Sequence, residues 1–173
     1  ERGRVARLDL ALHAVADLAE QRQHGLPLGG ALVWIGGRKV SRTDAADEAR
    51  IACDMKRSGA AKAHWSENPP STHRLDFPAH GRHSSPFGLR RFFNGQPRSP
   101  HTGVDLRAAE GEPVKALAAG RVALAAEHYF SGRSVFVDHG QGVVSMYFHL
   151  SEIAVAPGQF VVKGQVLGKA GAT

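Results

Sequence analysis

Residues 111–150 read GEPVKALAAGRVALAAEHYFSGRSVFVDHGQGVVSMYFHL. Short runs, Val114 to Leu117, Gly120 to Ala125, Ser134 to Asp138 and Gly142 to Phe148, are separated by Gly111-Glu112-Pro113 and by the Asp138 to Gly142 turn. Glycine and proline break any helical period at this density, and β-branched and aromatic residues collect between them. The stretch therefore predicts consecutive strands of an antiparallel sheet. The pattern continues through Ile153 to Val155, Phe160 to Val162 and Gln165 to Leu167, with turns at Pro157-Gly158 and Lys163-Gly164. The expected fold class is a mainly β C-terminal domain preceded by a small α+β region.

Upstream, the segment from Gly59 to Thr72 contains Asn68-Pro69-Pro70-Ser71 and has loop composition. A boundary is expected there, giving an α+β appendage over residues 1–72, of unassigned role, and a β domain over 73–173. In the appendage Val5, Leu8, Leu12, Val15 and Ala19 recur at helical spacing, which predicts an amphipathic helix over 4–23. Ala31 to Ile35, Gly36-Gly37 and Arg38-Lys39-Val40 suit a short hairpin with a glycine turn. Residues 43–58 read as a second helix, with Ser41 or Thr43 as N-cap, Asp44, Asp47 and Glu48 early and Lys56-Arg57 late.

The chain has 173 residues, 42% of them hydrophobic, enough to bury a core. No run of about 18 apolar residues is present, so no membrane span is expected, and the basic start lacks the apolar stretch of a signal peptide. The first residue is Glu1, so location is not legible from the ends. A net charge of +6, spread along the chain, favours anionic partners without naming one. Cys53, the single cysteine, excludes an internal disulfide and a Cys-based zinc site. Between Ile51 and Met55 it reads as a small buried apolar residue.

Ser99-Pro100-His101-Thr102-Gly103-Val104-Asp105 and Tyr147-Phe148-His149-Leu150 offer imidazole and carboxylate groups of the kind that hold a catalytic zinc. In an extended strand the Cα atoms of His101 and Asp105 would lie about 13 Å apart, so Thr102-Gly103 must bend the chain if both bind one ion. Glycine permits such a bend cheaply. From spacing alone the pair also fits a surface histidine and a turn-capping aspartate. His139 reads as a structural residue at a strand end and a rival ligand, and His73, His80 and His83 as solvated. His13, His24 and His64 carry no motif. Arg90-Arg91-Phe92-Phe93-Asn94-Gly95 fits either a groove for an acidic peptide or a packed hairpin with solvated arginines. One such stretch is a poor signal for nucleic acid, which is not expected as a partner. His-Glu-x-x-His, Gly-x-Ser-x-Gly and Gly-x-Gly-x-x-Gly motifs are absent, and Gly164 to Lys169 is one residue short of a P-loop.

Residues 77–173 resemble the lysostaphin-type, LytM-like zinc metallopeptidases that cut peptidoglycan cross-bridges. The matching segments are Gly81 to Arg91, His101-Thr102-Gly103-Val104-Asp105, Gly111-Glu112-Pro113-Val114, Gly120-Arg121-Val122, Val137-Asp138-His139-Gly140, Tyr147-Phe148-His149-Leu150 and Gly158 to Gly168. Their order and spacing carry the likeness. It implies an antiparallel β-sheet domain related to the barrel-sandwich hybrid, a Zn2+ cofactor with His101 and Asp105 as two ligands, and His149 as a catalytic histidine. It also implies peptidoglycan stem or cross-bridge peptides as substrate, in the bacterial cell envelope. In such families Gly-Ala-Thr leads into a His-x-His strand that supplies the third ligand and helps to activate water. That strand is expected beyond Thr173, with this chain incomplete and inactive without it. The alternative is a non-catalytic module that binds peptidoglycan or activates a separate hydrolase. A biotinyl- or lipoyl-carrier likeness at 158–168 lacks the displayed lysine that such a role needs.

Overall fold

A computed structural model describes residues 5–13, 33–35, 38–40, 45–69, 74–93 and 96–171. In chain order the strands and helix are β1 (Val5–His13), β2 (Val33–Ile35), β3 (Arg38–Val40), α1 (Ala45–Ala63), β4 (Arg82–Ser85), β5 (Arg91–Phe93) and β6 (Gln96–Arg98). They continue with β7 (Val104–Ala109), β8 (Pro113–Lys115), β9 (Gly120–His128), β10 (Gly132–Asp138), β11 (Val144–Ile153), β12 (Phe160–Val161) and β13 (Val166–Ala170). Nine strands form one curled antiparallel sheet of order β12-β9-β10-β11-β1-β7-β4, with β13 pairing β11 and β8. The mainly antiparallel β class is as the strand pattern and the resemblance implied.

Alternation decides which side of each strand is buried. In β7, Leu106 and Ala108 enter the core whereas Arg107 is exposed. Leu106, Val114, Val135, Tyr147, Leu150 and Leu167 belong to the main core, each at most 1% exposed. Burying side chains of this size stabilises by about 1.5–3 kcal/mol apiece. Within that core a buried polar chain runs along β11. The Leu117 N–H donates to Tyr147 Oη (2.9 Å), Ser145 Oγ lies 3.0 Å from Tyr147 Oη, and 2.7 Å separates it from His139 Nε2. His139 Nδ1 lies 2.9 Å from the Ala119 carbonyl, which can only accept, so Nδ1 carries the proton. Burial lowers the His139 pKa and raises that of Tyr147 to about 12, keeping both neutral. His139 is thus a structural histidine tied to Ala119 and Ser145.

The other face of the sheet carries Phe136, Val144 and Met146, packed with Ala61 of α1. The chain after the helix is laid along the β10–β11 turn. Gln141 N–H donates to Ser66 O (2.9 Å), and a Cβ at Gly140, where φ is +108°, would stand 2.1 Å from Asn68 O. Only glycine admits both that φ and that approach.

Three expectations require correction. Residues 5–13 form a central strand and not the start of a helix over 4–23; residues 14–23 lie outside the described residues. Leu8, Leu10 and Leu12 also alternate at period two, and pairing with β7 on one edge and β11 on the other overrides the helical spacing. The second helix runs to Ala63 rather than 58, because Ala60, Ala61 and Ala63 favour helix enough to carry Gly59. Cys53 is exposed, since α1 turns Asp54 and Ala61 inward instead. The β2–β3 hairpin is present as expected; its Gly36-Gly37 turn and the proposed caps Ser41 and Thr43 lie outside the described residues.

Candidate active site

His101 precedes β7 and Asp105 is its second residue, with a bend at buried Gly103 between them. The bend turns the two side chains together: His101 Nε2 lies 3.1 Å from Asp105 Oδ1, with both residues buried. His101 is anchored on its backbone too. Its N–H donates to Leu89 O (3.0 Å), and its carbonyl accepts from Gly88 N–H (2.8 Å).

The other ring nitrogen fixes the tautomer. Nδ1 lies 3.1 Å from the Pro86 carbonyl and 3.3 Å from Ser85 Oγ. A carbonyl only accepts, so Nδ1 donates and Nε2 is the atom presented to Asp105. The Nε2–Oδ1 contact is attractive only when a proton or a cation lies between the two atoms. Bonds of about 2.0–2.2 Å to a tetrahedral ion would put two ligand atoms roughly 3.3 Å apart, close to the observed separation. A carbonyl on the distal nitrogen is also the usual support of a metal-bound imidazole. The donor set therefore fits a divalent ion as far as it goes. Among the described residues no group of three His, Cys, Asp or Glu converges.

His149 lies on β11, two strands from β7 with β1 between. Leu10 pairs with both Tyr147 and Val104, so the rows of Asp105 and His149 are adjacent. Two strand spacings separate their backbones by roughly 10 Å. The β10 partners step from Arg133↔Leu150 to Val135↔Tyr147, leaving an extra residue at Phe148-His149. This bulge holds His149 at φ 58° and half-buried. The left-handed region is costly for a non-glycine residue, and the surrounding bonds impose it: His149 N–H donates to Ser131 O (2.9 Å) and Gly171 N–H donates to His149 O (3.0 Å). Bulges re-aim side chains beside functional sites.

His101 and Asp105 are thus brought together, and His149 stands across β1 from them. His80 and His83 are exposed, as expected; His83 meets Phe77 edge-on with ring centroids 5.3 Å apart. His73 lies outside the described residues. Sequence reasoning missed Ser85 and the Pro86 carbonyl as supports of His101. They sit 15 and 16 residues upstream, in a segment whose only signal was its place in the resemblance.

The family model for Peptidase family M23 matches residues 99–173. Peptidoglycan DD-endopeptidase ShyA of Vibrio cholerae serotype O1 is 38% identical over 93 residues, 53% of this chain and 22% of that protein. A crystal structure of a putative peptidase M23 from Pseudomonas aeruginosa is 43% identical, covering 79% of this chain and 55% of that one, with a TM-score of 0.67. A zinc containing peptidase from Vibrio cholerae is 29% identical, covering 58% and 33%, with a TM-score of 0.55. The chain spans about a fifth of the length of the curated relatives it matches.

Proposed function

With residues 99–173 a lysostaphin-type (LytM-like) domain of peptidase family M23, we propose that the protein is a zinc-dependent endopeptidase hydrolysing peptide cross-links of bacterial peptidoglycan in the cell envelope. The observation that carries this reading is the buried 3.1 Å approach of His101 Nε2 to Asp105 Oδ1, with Nδ1 committed to Pro86. These two residues hold the metal, and a third protein ligand completes the set. Bound zinc supplies Lewis acidity, bringing a water towards a pKa near 7.

The chain's own residues supply the rest. Asp105 lends negative charge that holds the cation in a buried position. Ser85 and Pro86 keep the His101 ring from rotating, so that Nε2 stays aimed. His149, on its bulge, donates a hydrogen bond to the developing oxyanion or passes a proton to the leaving amine. The naming of ShyA as a peptidoglycan DD-endopeptidase supports the substrate class. No helix among the described residues is long and apolar enough to cross a membrane.

Incubating the full-length protein with purified peptidoglycan tests the proposal. Expected are soluble fragments with cleaved cross-links, lost with a chelator and restored by zinc, and a fall of at least about 10³ in rate for Asp105→Ala, the scale of losing metal-assisted catalysis. Cleavage indifferent to both chelator and Asp105→Ala would overturn it. Binding to peptidoglycan without release would replace it with the non-catalytic module.

A further inference from the structure

The face of β7 that carries Asp105 also carries Arg107, two residues along and so about 7 Å away. Arg107 is exposed, and directly opposite it on β4 stands Arg82, also exposed. On the other edge of β7 the register partner of Arg107 is Arg7 of β1. Three arginines therefore occupy one row across three adjacent strands, one step from the candidate metal ligand. Like charges in directly opposed cross-strand positions are unfavourable. Among the described residues no carboxylate pairs with Arg82 or Arg107. Asp105, two residues before Arg107, is buried with its carboxylate 3.1 Å from His101 Nε2, and Glu112 is committed to the His80 N–H (2.8 Å) and the Ala109 N–H (3.1 Å).

We propose that Arg82 and Arg107 form a carboxylate-binding subsite that docks an anionic group of the substrate peptide beside the cleavage centre. The inference rests on the hydrolase reading for its substrate class. A carboxylate set between two guanidiniums receives forked hydrogen bonds from both and turns an unfavourable row into a favourable one. Peptidoglycan stem peptides carry side-chain and terminal carboxylates, and one placed here would fix the register of the peptide relative to the His101–Asp105 pair. Positioning of this kind raises the share of bound substrate in a reactive geometry.

The test uses the protein with no metal added, so that binding is read without hydrolysis. The probes are a peptidoglycan stem tetrapeptide with free carboxylates and the same peptide with its carboxylates amidated, each titrated by NMR chemical shift. The unmodified protein is expected to prefer the free acid, with the preference falling as salt rises. Arg82→Gln together with Arg107→Gln should weaken the acidic peptide roughly tenfold and leave the amidated peptide unchanged. Arg107→Lys, which keeps the charge and loses the fork, should fall between them. Lys115→Gln, an exposed cation elsewhere on β8, is the control for general charge attraction.

Equal affinity for the two peptides would overturn the subsite, and so would a Lys115→Gln loss as large as that of the double variant. Both arginines are exposed, so unchanged thermal midpoints are expected and a folding defect is separable from a binding one. A carboxylate preference that survives while full-length protein fails to cleave would leave the subsite standing and remove the hydrolase reading. Zinc-dependent cleavage with no carboxylate preference would do the reverse.

Discussion

The core around Tyr147 and the helix α1 both pack against the central hairpin of the sheet, and they are held there by different forces. The core is apolar, and its few polar groups are satisfied in a neutral chain from Leu117 to Ala119. The helix contributes one buried apolar residue, Ala61, and is otherwise held by polar contacts. Asp54 Oδ2 accepts the Tyr129 N–H (2.8 Å) while Oδ1 accepts from Arg57 (2.7 Å). Ser58 Oγ lies 3.3 Å from His128 Nε2, and the Tyr129 hydroxyl donates to Asp47 (3.2 Å). An apolar core gives way as a unit. A polar dock can let go by itself.

The largest expected effect breaks the first half of that contrast. Leu167 is fully buried in β13, and Leu167→Ala removes its methyl contacts and leaves a cavity. The expected cost is about 2–5 kcal/mol, seen as a lower urea midpoint with circular dichroism of strand and helix lost together. A helix signal that survives after the strands have melted would refute the claim that α1 depends on the sheet.

A middle-sized effect breaks the second half. Asp54→Asn keeps the shape and removes the charge, and hydrogen bonds to a charged group contribute about 1.5–3 kcal/mol. Amide exchange should rise along Ala45–Ala63 with β9 to β11 still protected; uniform loss across the sheet would contradict a separable dock. Burial pushes the Asp54 pKa up, but the Tyr129 N–H and the Arg57 guanidinium outweigh it and hold the value below 3.8. A carboxyl whose folded pKa is depressed contributes fully above the unfolded value and loses that contribution as pH falls through the folded one. Burial lowers the pKa of both His128 and His139 below 6.5. A base so shifted destabilises the fold as pH drops below its unfolded value, because the unfolded chain takes the proton first. Acid therefore weakens the protein in two windows, below about pH 6.5 through the histidines and below about 3.8 through Asp54. Asp54→Asn should erase the Asp54 contribution to the lower window and, by removing the charge that raises the His128 pKa, deepen the upper one.

The same contrast explains what was legible in the sequence. The strands from Val114 onward were readable because glycine and proline punctuate them and their apolar positions share one core. The bend at Gly103 was readable because the two side chains could meet only if the chain turned between them, and glycine allows that turn. The segment 5–13 was not, since VARLDLALH satisfies a helical period and an alternating one at once, and only the strand edges of β7 and β11 choose between them. Cys53 misled for a related reason: α1 buries Asp54 in its place, and a buried carboxylate on a helix makes sense only with Tyr129, 75 residues away, in view. At the site, His101 and Asp105 stood out through the resemblance of their segment, since their spacing alone fitted a surface histidine and a turn cap as well, whereas Ser85 and Pro86 act through a hydroxyl and a backbone carbonyl that leave no compositional mark.

The smallest effect sharpens the contrast by showing where the polar dock does not reside. Arg50 reaches Glu127 at 3.8 Å with both side chains at least half exposed, and its guanidinium lies 5.9 Å from the centre of the Tyr129 ring. These contacts link the same helix to the same strand end as Asp54 does, yet water competes for both charges and salt screens them. Glu127→Gln should therefore change stability by less than about 1 kcal/mol, with amide exchange along α1 nearly unaltered. Repeating the measurement in high salt should shrink even that difference. A loss as large as that of Asp54→Asn would mean that the helix is held by its exposed charges, and the division between a buried carboxylate anchor and a solvated rim would have to be redrawn.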